Sequence, residues 1–198
     1  RNMINCLSHT GAWVNVQAFS KEAGRRVCQE LCTQVAMSRP YNYMNVSSKP
    51  AAEALEAISC MGWTETVIDL GDAGRFWFDD RVMDIFKVAL REGALIINHS
   101  TDRTVFDDVF STMGKRETIK AAEYLAQRDH ILKLAHKFAA EHPDMVEQVG
   151  SDIEIQFPDW GVVGLYEEDG EGGVYVRGLS GPTDIVLLLA GWIDKRKQ

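Results

Sequence analysis

Thr64-Glu-Thr-Val-Ile-Asp-Leu70, followed by Asp79 to Glu92 and then by Ala94-Leu-Ile-Ile-Asn98, is the stretch on which the fold turns. The first piece is short, apolar and rich in β-branched residues, and Gly71 stops it; it predicts a strand. The second piece places Val82, Ile85, Phe86 and Ala89 on one side of a helix and Arg81, Asp84, Lys87 and Arg91 on another. Gly93 closes that helix. The third piece predicts a second buried strand. Two strands joined by one helix favour a right-handed βαβ unit with parallel strands. The sequence predicts an α+β (mixed α/β) fold with this unit at its centre and the remaining elements packed around it.

Working outward toward the amino end, Ala12 to Phe19 predicts a strand, and Ser20 an N-cap. The helix from Lys21 to Met37 carries Val27, Cys28, Leu31, Cys32 and Val35 on one stripe. Tyr41 to Val46 is extended, and Met3 to Leu7 is a further short strand. Pro50 opens a helix that runs from Ala51 to Met61. Beyond Asn98, a polar tip from His99 to Arg103 leads to a short helix around Val105, Phe106, Val109, Phe110 and Met113. Lys115 to His142 reads as one long helix with Ile119, Ala122, Leu125, Leu132, Ala135 and Ala139 inward, ended by Pro143. The chain then changes character. Ser151 to Phe157 alternates strictly, Trp160 to Glu167 and Val174 to Arg177 follow, and short links between them predict a three-stranded antiparallel meander. A last apolar helix spans Ser180 to Ile193. The expectation is one globular domain over residues 1–198, with a weak boundary near Gly150.

The composition narrows the function classes. The 198 residues suffice for a core without staples. Hydrophobic residues make up 45% and charged residues 25%, which argues against a disordered chain. The net charge is −8, and nearly all the excess falls in residues 101–198, which hold 11 basic and 18 acidic residues. This balance disfavours a nucleic-acid-binding face, although an acidic surface that acts as a decoy for a nucleic-acid-binding protein fits it. No apolar run reaches the ~18 residues of a membrane span. Residues 1–20 hold no secretory-type apolar region, so the expected setting is cytoplasmic, with Cys6, Cys28, Cys32 and Cys60 reduced.

The polar tips of the central unit supply the candidate site. In open α/β sheets ligands bind beyond the carboxyl ends of strands. Asp69, Asp72 and Arg75 follow the first strand, and Asn98, His99, Ser100 and Asp102 follow the second. Asp69, Asp72, Asn98 and His99 are the candidate catalytic residues, and Arg75, Ser100 and Asp102 the candidate ligand-binding ones. Oxygen ligands with one imidazole suit a divalent cation that orients water. The segments Val67-Ile-Asp-Leu-Gly-Asp72 and Ile96-Ile-Asn-His99 resemble the Gly-Asp and Asn-His motifs of calcineurin-like metallophosphoesterases. That resemblance implies metal-dependent phosphoester hydrolysis. Leu7 stands where that family has an essential Asp, and its later Gly-His and His-x-His ligands have no counterpart here.

Cys28 and Cys32 stand at i, i+4, a spacing at which two thiolates can share a metal. They also lie on the apolar stripe without a second pair, so the preferred reading is core cysteines, and no metal is assigned. His130, His136 and His142 turn about 240° per step and share no face. Glu167 to Glu171 reads as a solvated acidic turn. No phosphate loop, nucleophile elbow, dinucleotide fingerprint or HExxH motif occurs. With no complete catalytic constellation, the leading expectation is a protein that binds another protein, as an inhibitor or regulator, with homodimerisation as one form of this. The five tryptophans and the last helix are the candidate interface area. The rival expectation is the metal-dependent hydrolase.

Overall fold

The computed structural model describes residues 11–38, 42–60, 65–101, 105–114, 116–158, 161–168, 170–178 and 189. Contacts divide the chain into two compact units, Cys6–Tyr124 and a second built on Leu125–Gln198.

The first unit alternates strand and helix. Its elements are β1 (Trp13–Gln17), α1 (Lys21–Ser38), β2 (Asn42–Asn45), α2 (Ala51–Ser59), β3 (Thr66–Asp72), α3 (Asp80–Arg91), β4 (Leu95–Ser100), α4 (Val105–Ser111) and β5 (Arg116–Lys120). The strands form one sheet in the order β2-β3-β4-β1-β5, and every pair is parallel. The predicted βαβ unit is therefore present, with β3 directly beside β4. Strands covered on both faces should be apolar throughout. Accordingly β4 is buried at all six positions and β3 at six of seven.

Connection handedness explains which helix covers which face. From β1 the chain moves across the sheet to its edge strand β2, and then steps back through β3 and β4 to β5. With right-handed crossovers, the first move and the return moves place their helices on opposite faces. The contacts agree. Ala54 and Ile58 of α2, Val82, Met83, Phe86 and Ala89 of α3, and Phe106 and Phe110 of α4 pack with Trp13, Ile68, Leu70 and Ile96. Helix α1 lies on the other face, against Asp69 and His99. Asp79 caps α3 by accepting from the Val82 N–H. Trp13 is the hub of the first face. Its ring is fully buried, with the rings of Phe78, Phe86, Phe106 and Phe110 at centroid distances of 4.9–6.3 Å.

One predicted boundary needs correction. Arg116–Lys120 is not the start of the long helix but strand β5, which pairs with β1; helix α5 runs over Ala121–Glu141. Ile119 is buried, as in the predicted stripe, but it points from an edge strand whose other positions are half-buried or exposed. Its spacing to Ala122 imitates one helical turn, and Ala122 itself is exposed.

The second unit carries an antiparallel sheet of β6 (Val146–Val149), β7 (Asp152–Phe157), β8 (Gly161–Glu168) and β9 (Glu171–Arg177) in sequential order. The predicted meander is present and gains β6, an edge strand whose residues are exposed or half-buried and show no apolar signal. Its core joins Ile131, Ala135 and Phe138 of α5 to Ile155, Phe157, Val163, Leu165, Val174, Val176 and Leu189. Buried Glu154 accepts from Tyr175 Oη at 2.6 Å and from Arg177 Nη2. The strand expected at Met3 to Leu7 and, apart from helical Leu189, the last helix lie outside the described residues. Among the described residues no helix is long and apolar enough to cross a membrane.

Trp13→Ala removes the hub of the aromatic cluster and should lower stability by about 3–5 kcal/mol. Urea unfolding followed by far-UV circular dichroism measures this, and a loss under about 1 kcal/mol would show that the cluster does not depend on Trp13.

Candidate functional site

Parallel pairing brings the ends of β3 and β4 to one edge. Asp69 stands opposite Ile97, and Asp72 stands opposite His99, with a one-residue bulge at Leu70 between. Side chains alternate along a strand, so adjacent Asn98 and His99 go to opposite faces. The candidate residues thus fall into two groups.

On the face covered by α3 and α4, Asn98 is fully buried. Its Oδ1 accepts from Trp13 Nε1 at 2.6 Å, and its Nδ2 donates to Asn15 Oδ1 at 3.0 Å. Ser100 Oγ donates to the same Asn15 oxygen at 2.9 Å. This chain of amides satisfies polar groups inside the sheet and presents no reacting atom to solvent. Arg75 is also engaged internally: its guanidinium donates to the carbonyls of Lys49, Val46 and Leu70 and lies 4.5 Å from the Phe76 ring centre. It ties the loop before α2 to the end of β3. Asp102 lies outside the described residues.

On the face covered by α1, Asp69, Asp72 and His99 come together. Asp72 accepts from the Gly74 N–H and pairs with Lys21 Nζ at 3.5 Å. Lys21 opens α1 just after β1, and Asp72 ends β3, so this pair of an exposed lysine and a half-buried aspartate spans the end of β4 between them. His99 is only 5% exposed. Gly24 explains how: a Cβ there would come within 2.8 Å of His99 Cβ and 2.9 Å of its ring, so α1 rests on the side chain only because residue 24 lacks one. Among the described residues Nδ1 of His99 has no hydrogen-bond partner. Burial lowers the pKa of His99, and the neighbouring Asp72 and Asp69 carboxylates partly oppose this.

Asp69 is 4% exposed and lies deeper. Its Oδ1 accepts from Cys28 Sγ at 3.3 Å and from the Gly71 N–H at 3.1 Å, while Oδ2 accepts from Tyr43 Oη at 3.3 Å. Cys28 and Cys32 are each 1% exposed. The hydrogen bond with Cys32, then burial and the Asp69 charge, push the Cys28 thiol well up. Burial pushes Cys32 up, against the hydrogen bond from Cys28. Tyr43 is likewise raised, first by burial. The cysteines occupy the predicted inward stripe; their convergence on Asp69, 41 residues from Cys28, had no local signal in the sequence.

Two further residues stand at this edge, one of them among the five tryptophans of the candidate interface area and the other, Phe19, without a signal in the sequence. Phe19, in the β1–α1 loop, is 75% exposed, and Trp77, in the β3–α3 loop, is 80% exposed. Comparison with known protein families, curated proteins and solved structures finds no match for this chain.

Because His99 is buried with a lowered pKa, the unfolded chain takes up its proton first. The folded state should therefore lose stability as pH falls below about 6.5, by at most about 1.4 kcal/mol per pH unit, until the folded pKa is passed. Urea midpoints of wild type and His99→Gln between pH 7.5 and 5 check this: wild type should show the steeper fall, and equal slopes would refute it.

Proposed function

We propose that the first unit binds another protein through the carboxyl edge of its parallel sheet, and acts as an inhibitor or regulator of that partner. The observation that supports this reading is the pair of exposed aromatics, Phe19 and Trp77. Large aromatic side chains left in water at a loop edge gain most when a partner desolvates them. They leave strands β1 and β3, which flank β4 and so lie about 10 Å apart. Between them runs the Lys21–Asp72 pair, with its lysine exposed and its aspartate half-buried.

The second reading is metal-dependent phosphoester hydrolysis at the same edge. It is supported by Asp72 and His99 standing side by side, with Asp69 on the same face. It draws no support from Asn98, whose amide is engaged on the opposite face. The acidic-decoy reading gains no support from this edge, where exposed Lys21, Arg25 and Lys49 stand among the acidic residues.

The two readings separate by variant. For the binding reading, the dissociation constant of a partner co-purified with wild type is measured against Phe19→Ala/Trp77→Ala. Loss of one central aromatic anchor costs about 2 kcal/mol, so the double variant should bind at least roughly 30-fold more weakly. Unchanged affinity would remove this edge as the interface, and a mass that rises with concentration in the absence of a partner would make a second copy of the chain the occupant. For the hydrolytic reading, turnover of p-nitrophenyl phosphate with added manganese or zinc should vanish in Asp72→Ala/His99→Ala. Turnover equal to that of wild type would eliminate it.

A further inference from the structure

Cys28 Sγ, Cys32 Sγ and a carboxylate oxygen of Asp69 all lie within 4.8 Å of one another, and all three residues are buried. We propose that they form a site for one thiophilic divalent cation of the zinc class, held between α1 and β3. The proposal rests on neither reading above.

Geometry carries it first. Zinc bonds sulfur at about 2.3 Å and carboxylate oxygen at about 2.0–2.2 Å, so tetrahedral ligands stand about 3.5–3.8 Å apart. The gap from Cys28 Sγ to Asp69 Oδ1 is 3.3 Å. The other two gaps are at most 4.8 Å, so a cation draws the three ligands together by no more than about 1 Å. The i, i+4 spacing aims both sulfurs from one helical face, and the adjacent strand presents the oxygen.

Charge carries it further. Asp69 is almost wholly buried, and among the described residues no Lys, Arg or His forms an ion pair with it. A carboxylate so placed is costly even when hydrogen-bonded. Binding exchanges two thiol protons for one divalent cation. Two thiols and a carboxylate carry net −1, and so do two thiolates, a carboxylate and a divalent cation. The interior therefore accommodates the bound state without added charge. Tyr43 completes the arrangement. Its hydroxyl holds the second Asp69 oxygen and so orients the ligand, and its side chain is 46% exposed, which marks the way in from solvent. Three protein ligands leave the fourth tetrahedral position for water.

The test is titration of the reduced full chain with cobalt(II), followed by displacement with zinc(II). One equivalent of cobalt should bind, with thiolate-to-metal charge transfer and the strong visible bands of a tetrahedral site, and zinc should bleach them. Cys28→Ser, Cys32→Ser and Asp69→Asn should each weaken binding at least 10-fold, whereas Cys6→Ser/Cys60→Ser should bind as wild type does. Absence of charge transfer in wild type overturns the site, and this titration decides even where a ligand variant fails to fold. Charge transfer that persists in Cys28→Ser/Cys32→Ser overturns it too.

Discussion

Parallel pairing of β4 with both β1 and β3 is the constraint on which the rest of the first unit depends. A central parallel strand has no face open to water, so every side chain on it must be apolar or satisfied within the protein. Leu95, Ile96 and Ile97 meet the first condition. Asn98, His99 and Ser100 meet the second, or strain against it. The polar end of β4 is therefore not a loop tip that happens to be buried. It is a continuation of the strand into an interior that had to be equipped for it. On one face Asn15 and Trp13 provide that equipment, and on the other α1 lies on His99 with a glycine at the contact.

Most of this architecture was legible because its signals are local. The apolar runs at Thr66–Leu70 and Leu95–Ile97, the helical stripe between them and the alternation at Asp152–Phe157 each announce their element within a few residues. The reading failed where local signals were ambiguous. Asn98 looks like the end of a strand because apolar residues stop there, yet hydrogen bonding continues to Ser100. Once Asn98 and His99 belong to the strand, alternation separates two residues that adjacency had grouped. Arg116–Lys120 failed for a related reason: an edge strand with one buried residue offers no period, and Ile119 was absorbed by the helix that follows.

The candidate site was legible only in part. Asp69, Asp72 and His99 do converge, because the same register that pairs β3 with β4 brings them to one edge. Arg75 and Ser100 have the chemistry of ligand-binding residues, but both terminal guanidinium nitrogens and the hydroxyl donate within the protein, to Lys49, Val46, Leu70 and Asn15. Nothing in the composition of those segments distinguishes a guanidinium that binds a ligand from one that ties loops together. The exposed Phe19 and Trp77 raise the converse difficulty. Hydrophobicity alone predicts burial, and only the three-dimensional loop shows that these two rings remain outside while Trp13 is fully enclosed.

The two faces of the sheet handle buried polarity differently, and the difference bears on function. The Asn15–Asn98–Ser100 group is neutral, and its hydrogen bonds join one side-chain amide to the next, so structural specificity accounts for it. The Cys28–Cys32–Asp69 group contains an acid that no Lys, Arg or His among the described residues meets in an ion pair, and one of its three donors is a thiol, a weak one. An apolar side chain at position 69 would spare the desolvation of a carboxylate but leave the Gly71 N–H and the Tyr43 hydroxyl without their acceptor. The two clusters differ in what they offer a ligand: the Asn15, Asn98 and Ser100 side chains bond to one another, whereas two sulfurs and a carboxylate oxygen stand within 4.8 Å of one another on the opposite face.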